Sequence, residues 1–155
     1  MRIGYGYDVH RYKDGRPCVL CGVTVPCTFG PDGHSDADVA IHALMDALLG
    51  AAAMGDIGRL FPDTDPKYEG IASTKLLETV MAFIREKGYE LGNADITIVA
   101  QKPKISGYML EMTAVLSEVM DVMPERLNVK ATTEEGLGFT GALEGIAAHA
   151  VVILE

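Results

Sequence analysis

Asp8 and His10 stand two residues apart in a stretch, Arg2 to His10, that alternates Ile3, Tyr5, Tyr7 and Val9 against Gly4, Gly6, Asp8 and His10. Alternation of this period predicts a half-buried strand. Positions i and i+2 of a strand leave the same face, so a carboxylate and an imidazole are presented side by side. His42 falls in a run that predicts a helix, with Asp38 and Asp46 four residues to either side on one helical face. Two ligands from a strand and one from a helix make a three-ligand set with an open fourth position, which is how catalytic zinc is held. The mixed donors also admit manganese or iron. Asp38 or Asp46 is expected to orient His42 from behind. Spacing alone leaves open that His10 and His42 are core histidines satisfied by neighbouring Asp side chains.

Three further segments carry weaker signals. His34 and Ser35 stand at the start of the helix that holds His42, where free N–H groups and the positive dipole end suit a phosphate; Ser35 could equally be a simple cap, with capping-box spacing to Asp38. Thr132, Thr133, Glu134 and Glu135 follow a predicted strand, where hydroxyls and backbone N–H groups can hold phosphate oxygens and Glu135 a hard cation such as Mg²⁺. An ordinary polar turn has the same composition. Gln101, Lys102, Pro103 and Lys104 close another strand, and the lysines serve either a ligand or solvent.

The elements that must position these groups follow from periodicity and punctuation. Val19 to Val25, between Pro17 and Pro26, predicts a hairpin or edge strand. Helices are predicted over Asp36 to Met54, ended by Gly55, over Thr74 to Lys87, and over Gly107 to Val122. Strands are predicted over Asp95 to Ala100, Leu127 to Thr132 and Ile146 to Leu154. The order implies an α+β fold, an α/β sandwich, with helices packed on one face of a mixed sheet in a single domain spanning residues 1–155.

A net charge of −9 argues against nucleic acid and anionic membrane surfaces as partners. A small phosphorylated ligand would need positive charge from metal ions, placed lysines or helix N-termini. Met1 leads directly into the first strand pattern, no signal peptide is evident, and no apolar run reaches the roughly 20 residues of a membrane span, so a cytoplasmic location is expected. Cys18 and Cys21 form a lone CxxC with no second pair, and these and Cys27 read as inert thiols.

Taken in order, the segments Gly6-Tyr7-Asp8-Val9-His10, Gly33-His34-Ser35-Asp36-Ala37-Asp38 with His42, Gly55-Asp56-Ile57-Gly58, Leu60-Phe61-Pro62-Asp63-Thr64-Asp65-Pro66, Ala100-Gln101 with Pro103-Lys104, Lys130-Ala131-Thr132-Thr133 with Glu135, and Leu137-Gly138-Phe139-Thr140-Gly141 with Glu144-Gly145 resemble the 2-C-methyl-D-erythritol 2,4-cyclodiphosphate synthase family along essentially the whole chain. The resemblance implies a homotrimer whose sheets face the three-fold axis, with active sites between subunits. It implies Zn²⁺ on Asp8, His10 and His42, and a second divalent ion, Mg²⁺ or Mn²⁺, on Glu135 and the substrate phosphates. The implied substrate is a CDP-linked methylerythritol 2-phosphate, cyclised with loss of CMP. His34 and Thr133 match positions that orient the reacting phosphates. Ser35 stands beside them, with Asp56, Ile57 and Gly58 on the ribose side. Phe61, Pro62, Asp63, Thr64 and Asp65 match the erythritol side. Ala100, Gln101, Lys102, Pro103, Lys104, Ile105 and Ser106, with Ala131, Thr132 and Thr133, match the cytidine wall; Phe139 lies in the last matching segment. Ala142 departs from the family pattern, where an Arg is common near the trimer axis, and weak or no binding of isoprenoid diphosphates there is expected. A zinc-dependent phosphohydrolase and a non-catalytic trimeric nucleotide-binding module are the competing readings.

Overall fold

A computed structural model describes residues 1–155. The chain begins with β1 (Arg2–Asp14), then a hairpin of β2 (Cys18–Leu20) and β3 (Val23–Val25), the short β4 (Phe29–Pro31), and helix α1 (Val39–Ala51). The one-turn α2 (Ile57–Leu60) and α3 (Ser73–Glu86) follow, then β5 (Leu91–Val99), α4 (Met109–Met120), β6 (Leu127–Thr132), the one-turn α5 (Gly138–Gly141) and β7 (Gly145–Leu154). Five strands form one mixed sheet in the order β4-β1-β7-β5-β6. β7 runs antiparallel to both β1 and β5, whereas β5 and β6 are parallel and joined through α4. α1 lies across β1 and β7, and α3 packs on α1 and α4, so the helices cover one face of the sheet as expected.

Alternation along β1 does not say which face is buried. The structure buries the glycine face and leaves Ile3, Tyr5, Tyr7 and Val9 exposed. The reason is steric. A Cβ on Gly4 would lie 1.9 Å from the Ala47 carbonyl oxygen, and one on Gly6 would lie 1.9 Å from that of Ala43. With glycines on the strand and alanines on the helix, α1 and β1 approach backbone to backbone. Every residue of α1 except Asp46 and Gly50 is buried.

Several boundaries differ from expectation. The helix predicted from Asp36 begins at Val39, because Ala37 adopts a left-handed backbone and Asp38, not Ser35, caps it by accepting from the Ile41 amide. It ends at Ala51, before Gly55, where Ala53 turns left-handed. The helix predicted from Gly107 opens with a 3₁₀ turn over Ser106–Tyr108 and is regular from Met109. β1 runs four residues past His10, and β5 starts four residues before Asp95. Cys21 and Gly22 form the hairpin turn with positive φ at both positions, the conformation that matches strand twist.

Candidate functional site

Past Gly6, the same inner face of β1 carries Asp8 and His10, and the first turn of α1 carries His42 opposite them. Asp8 Oδ2 lies 2.9 Å from His10 Nε2 and 3.1 Å from His42 Nδ1, and the two nitrogens are 3.1 Å apart. Donors around a tetrahedral zinc with bonds of about 2.0–2.1 Å are separated by roughly 3.3 Å. The triangle has the dimensions of a ligand set, and these three residues form a group that could hold a metal ion.

The outer ring nitrogens decide where the lone pairs point. His10 Nδ1 donates to the Asp32 carbonyl at 2.8 Å, which can only accept, so its Nε2 lone pair faces the triangle. His42 Nε2 lies 3.0 Å from Ser73 Oγ and 3.2 Å from Ser35 Oγ. The Ser73 hydroxyl donates elsewhere, to Asp36, so His42 Nε2 donates to it and the Nδ1 lone pair also faces inward. Two lone pairs and a carboxylate aimed at one point favour a cation between them. Burial pushes Asp8 up, but when a ring proton rather than a cation occupies the triangle, the hydrogen bonds and charges of His10 and His42 outweigh it and hold the carboxyl down at about 2. Burial pushes His10 down, and its hydrogen bond to Asp8 outweighs that and raises it.

Neither Asp38 nor Asp46 orients His42, contrary to expectation. Asp38 is fully buried and accepts from the amides of Cys21 (3.0 Å), Gly22 (2.7 Å) and Ile41 (3.1 Å), tying the hairpin to the start of α1. Asp46 accepts from the Ile57 amide at 2.8 Å and so anchors the segment Asp56-Ile57-Gly58. The groups that do hold His42, Ser73 with Asp36 behind it and Ser35, were legible only in part. Ser35 stood out as a helix cap, whereas Ser73 lies just before the helix predicted from Thr74 and carries no signal of its own.

The triangle opens into a cavity of about 440 Å³. His34, Ser35, Ile57, Gly58, Phe61, Pro62 and Asp63 line it, with Met45, Tyr68 and Leu76 adding apolar wall. His34 Nε2 donates to the Asp65 carbonyl at 3.1 Å, and Phe61 packs edge-on to Tyr68. Asp56 caps α2 through the Arg59 amide at 3.0 Å; Asp56, Thr64 and Asp65 border the cavity segments without lining the cavity itself.

The remaining expected residues form a second group at the ends of β5 and β6. Thr133 Oγ1 donates to Glu135 Oε1 at 3.2 Å, and Gln101 Oε1 accepts from the Gly136 amide at 3.1 Å. Ala100 and Ile105 are buried, Gln101 and Pro103 are partly exposed, and Lys102, Lys104, Ser106 and Ala131–Glu135 are exposed. Phe139 borders a smaller hollow of about 300 Å³ shared with His10 and Arg11. None of this group lines the larger cavity, and only Phe139 comes near the triangle, through His10, so a single chain leaves the β5 and β6 end residues apart from it. The Cys18 and Cys21 thiols are buried, and burial pushes Cys18 up to about 12, which makes it inert at neutral pH.

A model of the YgbB family matches residues 1–155. The chain belongs to the YgbB family. A YgbB relative from Desulfatibacillum aliphaticivorans, named 2-C-methyl-D-erythritol 2,4-cyclodiphosphate synthase, is 57% identical over 155 residues and covers 100% of both chains. One of the same name from Geobacter metallireducens is 58% identical, over 100% of this chain and 99% of that one. Among solved structures, a CDP-bound 2C-methyl-D-erythritol-2,4-cyclodiphosphate synthase matches with a TM-score of 0.91 at 41% identity, covering 99% of this chain and 100% of that one. The bifunctional IspDF from Campylobacter jejuni matches at 0.95 and 45% identity; this chain, 99% covered, spans 42% of its length.

Proposed function

We propose that this chain is a 2-C-methyl-D-erythritol 2,4-cyclodiphosphate synthase, a phosphorus–oxygen lyase of non-mevalonate isoprenoid precursor synthesis. The observation that carries the reading is the inward triangle of Asp8, His10 and His42 at the wall of a cavity, in a chain whose full-length relatives bear that name. In the reaction, an oxygen of the 2-phosphate attacks the β-phosphorus of the CDP-linked diphosphate. The bond from that phosphorus to the bridging oxygen breaks, CMP leaves, and an eight-membered cyclic diphosphate closes. No base is needed, since the attacking phosphate oxygen is already ionised.

Asp8, His10 and His42 are assigned to Zn²⁺, and Glu135 to a second divalent ion, Mg²⁺ or Mn²⁺. Bound there, the ions supply positive charge that offsets repulsion between phosphates. The chain itself supplies position. His34, fixed through Nε2 by the Asp65 carbonyl, and the Thr133 hydroxyl are assigned to orienting the phosphates. Asp46 holds the segment assigned to the ribose, and Phe61 to Asp65 are assigned to the erythritol side, with Phe61, Pro62 and Asp63 lining the cavity. Ala100 to Ser106 with Ala131 to Thr133 are assigned to cytidine. Holding both phosphates in one site makes the attack effectively unimolecular, so placement contributes much of the rate. Separation of the two residue groups within one chain, and the exposed apolar strand face, support a homotrimer with sites between subunits and sheets toward the axis.

The test is incubation of purified protein with the CDP-linked methylerythritol 2-phosphate. CMP and the cyclic diphosphate are expected in equal amounts, abolished by chelator and restored by zinc. An open-chain hydrolysis product, or turnover indifferent to chelator, overturns the proposal.

A further inference from the structure

Behind His42, on the side away from Asp8 and His10, runs a line of polar groups outside the cavity. His42 Nε2 meets Ser73 Oγ at 3.0 Å, and the Ser73 hydroxyl donates to Asp36 Oδ1. Ser73 is completely buried, and neither it nor Asp36 lines the cavity. Asp36 Oδ2 accepts from the Ser73 amide at 3.0 Å, and Oδ1 also accepts from the Asp38 amide at 3.2 Å. Two backbone bonds fix the register of the arrangement: the Asp36 amide donates to the Ile71 carbonyl at 3.0 Å, and the Gly70 amide to the His34 carbonyl at 2.8 Å.

A buried hydroxyl whose hydrogen is committed to a carboxylate offers its neighbour only oxygen lone pairs. Toward Ser73, His42 Nε2 can only donate, so this contact selects the ring form with hydrogen on Nε2. Ser35 Oγ, the other neighbour of Nε2, accepts from the Ala37 amide at 3.1 Å and keeps a second lone pair for Nε2–H, from which it lies slightly farther, at 3.2 Å. Negative charge on Asp36, passed through a polarised hydroxyl, raises electron density on the imidazole.

We propose that Ser73 and Asp36 are positioning residues for the metal centre, a relay that locks His42 in the Nε2–H tautomer and so presents Nδ1 for ligation. The proposal rests on the reading of Asp8, His10 and His42 as a metal site. Asp36 also caps α3 through the Ser73 amide, a structural role that needs no hydroxyl. Ser73→Ala therefore removes the relay and keeps the cap.

Two measurements test it on the full-length protein. Long-range ¹H–¹⁵N spectra of the metal-free wild type report the His42 tautomer directly, and predominantly Nε2–H is expected; predominantly Nδ1–H overturns the proposal. Competition of Zn²⁺ against a chromogenic chelator gives metal affinity. Ser73→Ala is expected to bind zinc roughly 10- to 100-fold more weakly with a mixed His42 tautomer, and Asp36→Asn, which keeps an acceptor but loses the charge, to weaken it in the same direction and by less. Asp36→Asn carries the affinity test if Ser73→Ala does not fold. Wild-type affinity in a folded variant overturns the relay. Wild type that binds no zinc, or His42→Ala that binds it unchanged, overturns the metal-site reading instead.

Discussion

His42 is the only member of the ligand triangle that α1 contributes, and the other two come from neighbouring positions of one strand. His42→Ala is therefore expected to abolish zinc retention and nearly all turnover while leaving the far-UV circular dichroism intact; elemental analysis showing unchanged zinc would refute the assignment. Glu135, on the exposed turn with Thr133, is expected to behave differently: Glu135→Ala should blunt the response to Mg²⁺ or Mn²⁺ and leave zinc content alone, and a metal-response curve matching wild type would remove it from that role. Asp38 gives a pH prediction. Full burial raises it, opposed by amide bonds from Gly22, Ile41 and Cys21 and aided by the charge of Asp36, to about 6 from an ordinary 3.8. A folded-state value above the unfolded one means stability fully present below pH 3.8 and lost as pH rises through 6, worth about 3 kcal/mol. Asp8, held near 2, has the opposite sign, its contribution lost only as pH falls toward 2. Urea titrations should show wild type losing stability relative to Asp38→Asn between pH 4 and 7, with the contributions of Asp8 and His10 cancelling in the comparison; parallel curves would refute this. At this scale the grouping of Asp8, His10 and His42 was legible because strand and helix periods place them, although spacing alone left open that the histidines were core residues. The relay of Ser73 and Asp36 was not, because it joins residues 37 apart in sequence that only tertiary packing brings together.

The elements that hold the site were legible wherever a period had length to express itself. The strands β1, β6 and β7 and the helices α1, α3 and α4 all correspond to predicted elements. α2, β4 and α5 span three or four residues, too few for periodicity to register. Helix ends were set by local backbone exceptions, Ala37 and Ala53 at positive φ, rather than by the nearest glycine. The join between α1 and β1 is the most demanding contact. Gly6→Ala would drive a Cβ to 1.9 Å from the Ala43 carbonyl oxygen, beyond what a side-chain rotation can relieve. A loss of about 3 kcal/mol or more is expected by urea denaturation, together with weakened zinc binding because β1 is pushed away from His42. A change within 0.5 kcal/mol, roughly the range of ordinary surface substitutions, would mean that the two backbones separate freely.

For the molecule as a whole, the unusual surface is the uncovered sheet face. Ile3 is 73% exposed and Tyr5 61%, and the Tyr5 hydroxyl bonds His149 at 2.9 Å across to β7. A row of large apolar side chains on one strand marks a face that another surface covers. If the proposed homotrimer forms through this face, Tyr5→Asp is expected to leave monomers in sedimentation velocity and to abolish CMP release, since the two groups of site residues would no longer meet; a fully active monomer would refute assembly of the site between subunits. No helix is long and apolar enough to cross a membrane.

The contact of Gly4 and Gly6 with Ala47 and Ala43 has one more consequence. Where elements meet through interlocking side chains, their spacing drifts as residues are exchanged over generations. Here the spacing is set by main-chain atoms, and it holds as long as the strand positions stay glycine, whatever the neighbouring core residues are. The surrounding core is free to diverge while the gap that His42 must bridge stays constant. A saturation library over these four positions, sorted for zinc retention, should return almost nothing but the smallest residues, whereas libraries at Leu44 or Leu48 should return a range of apolar ones.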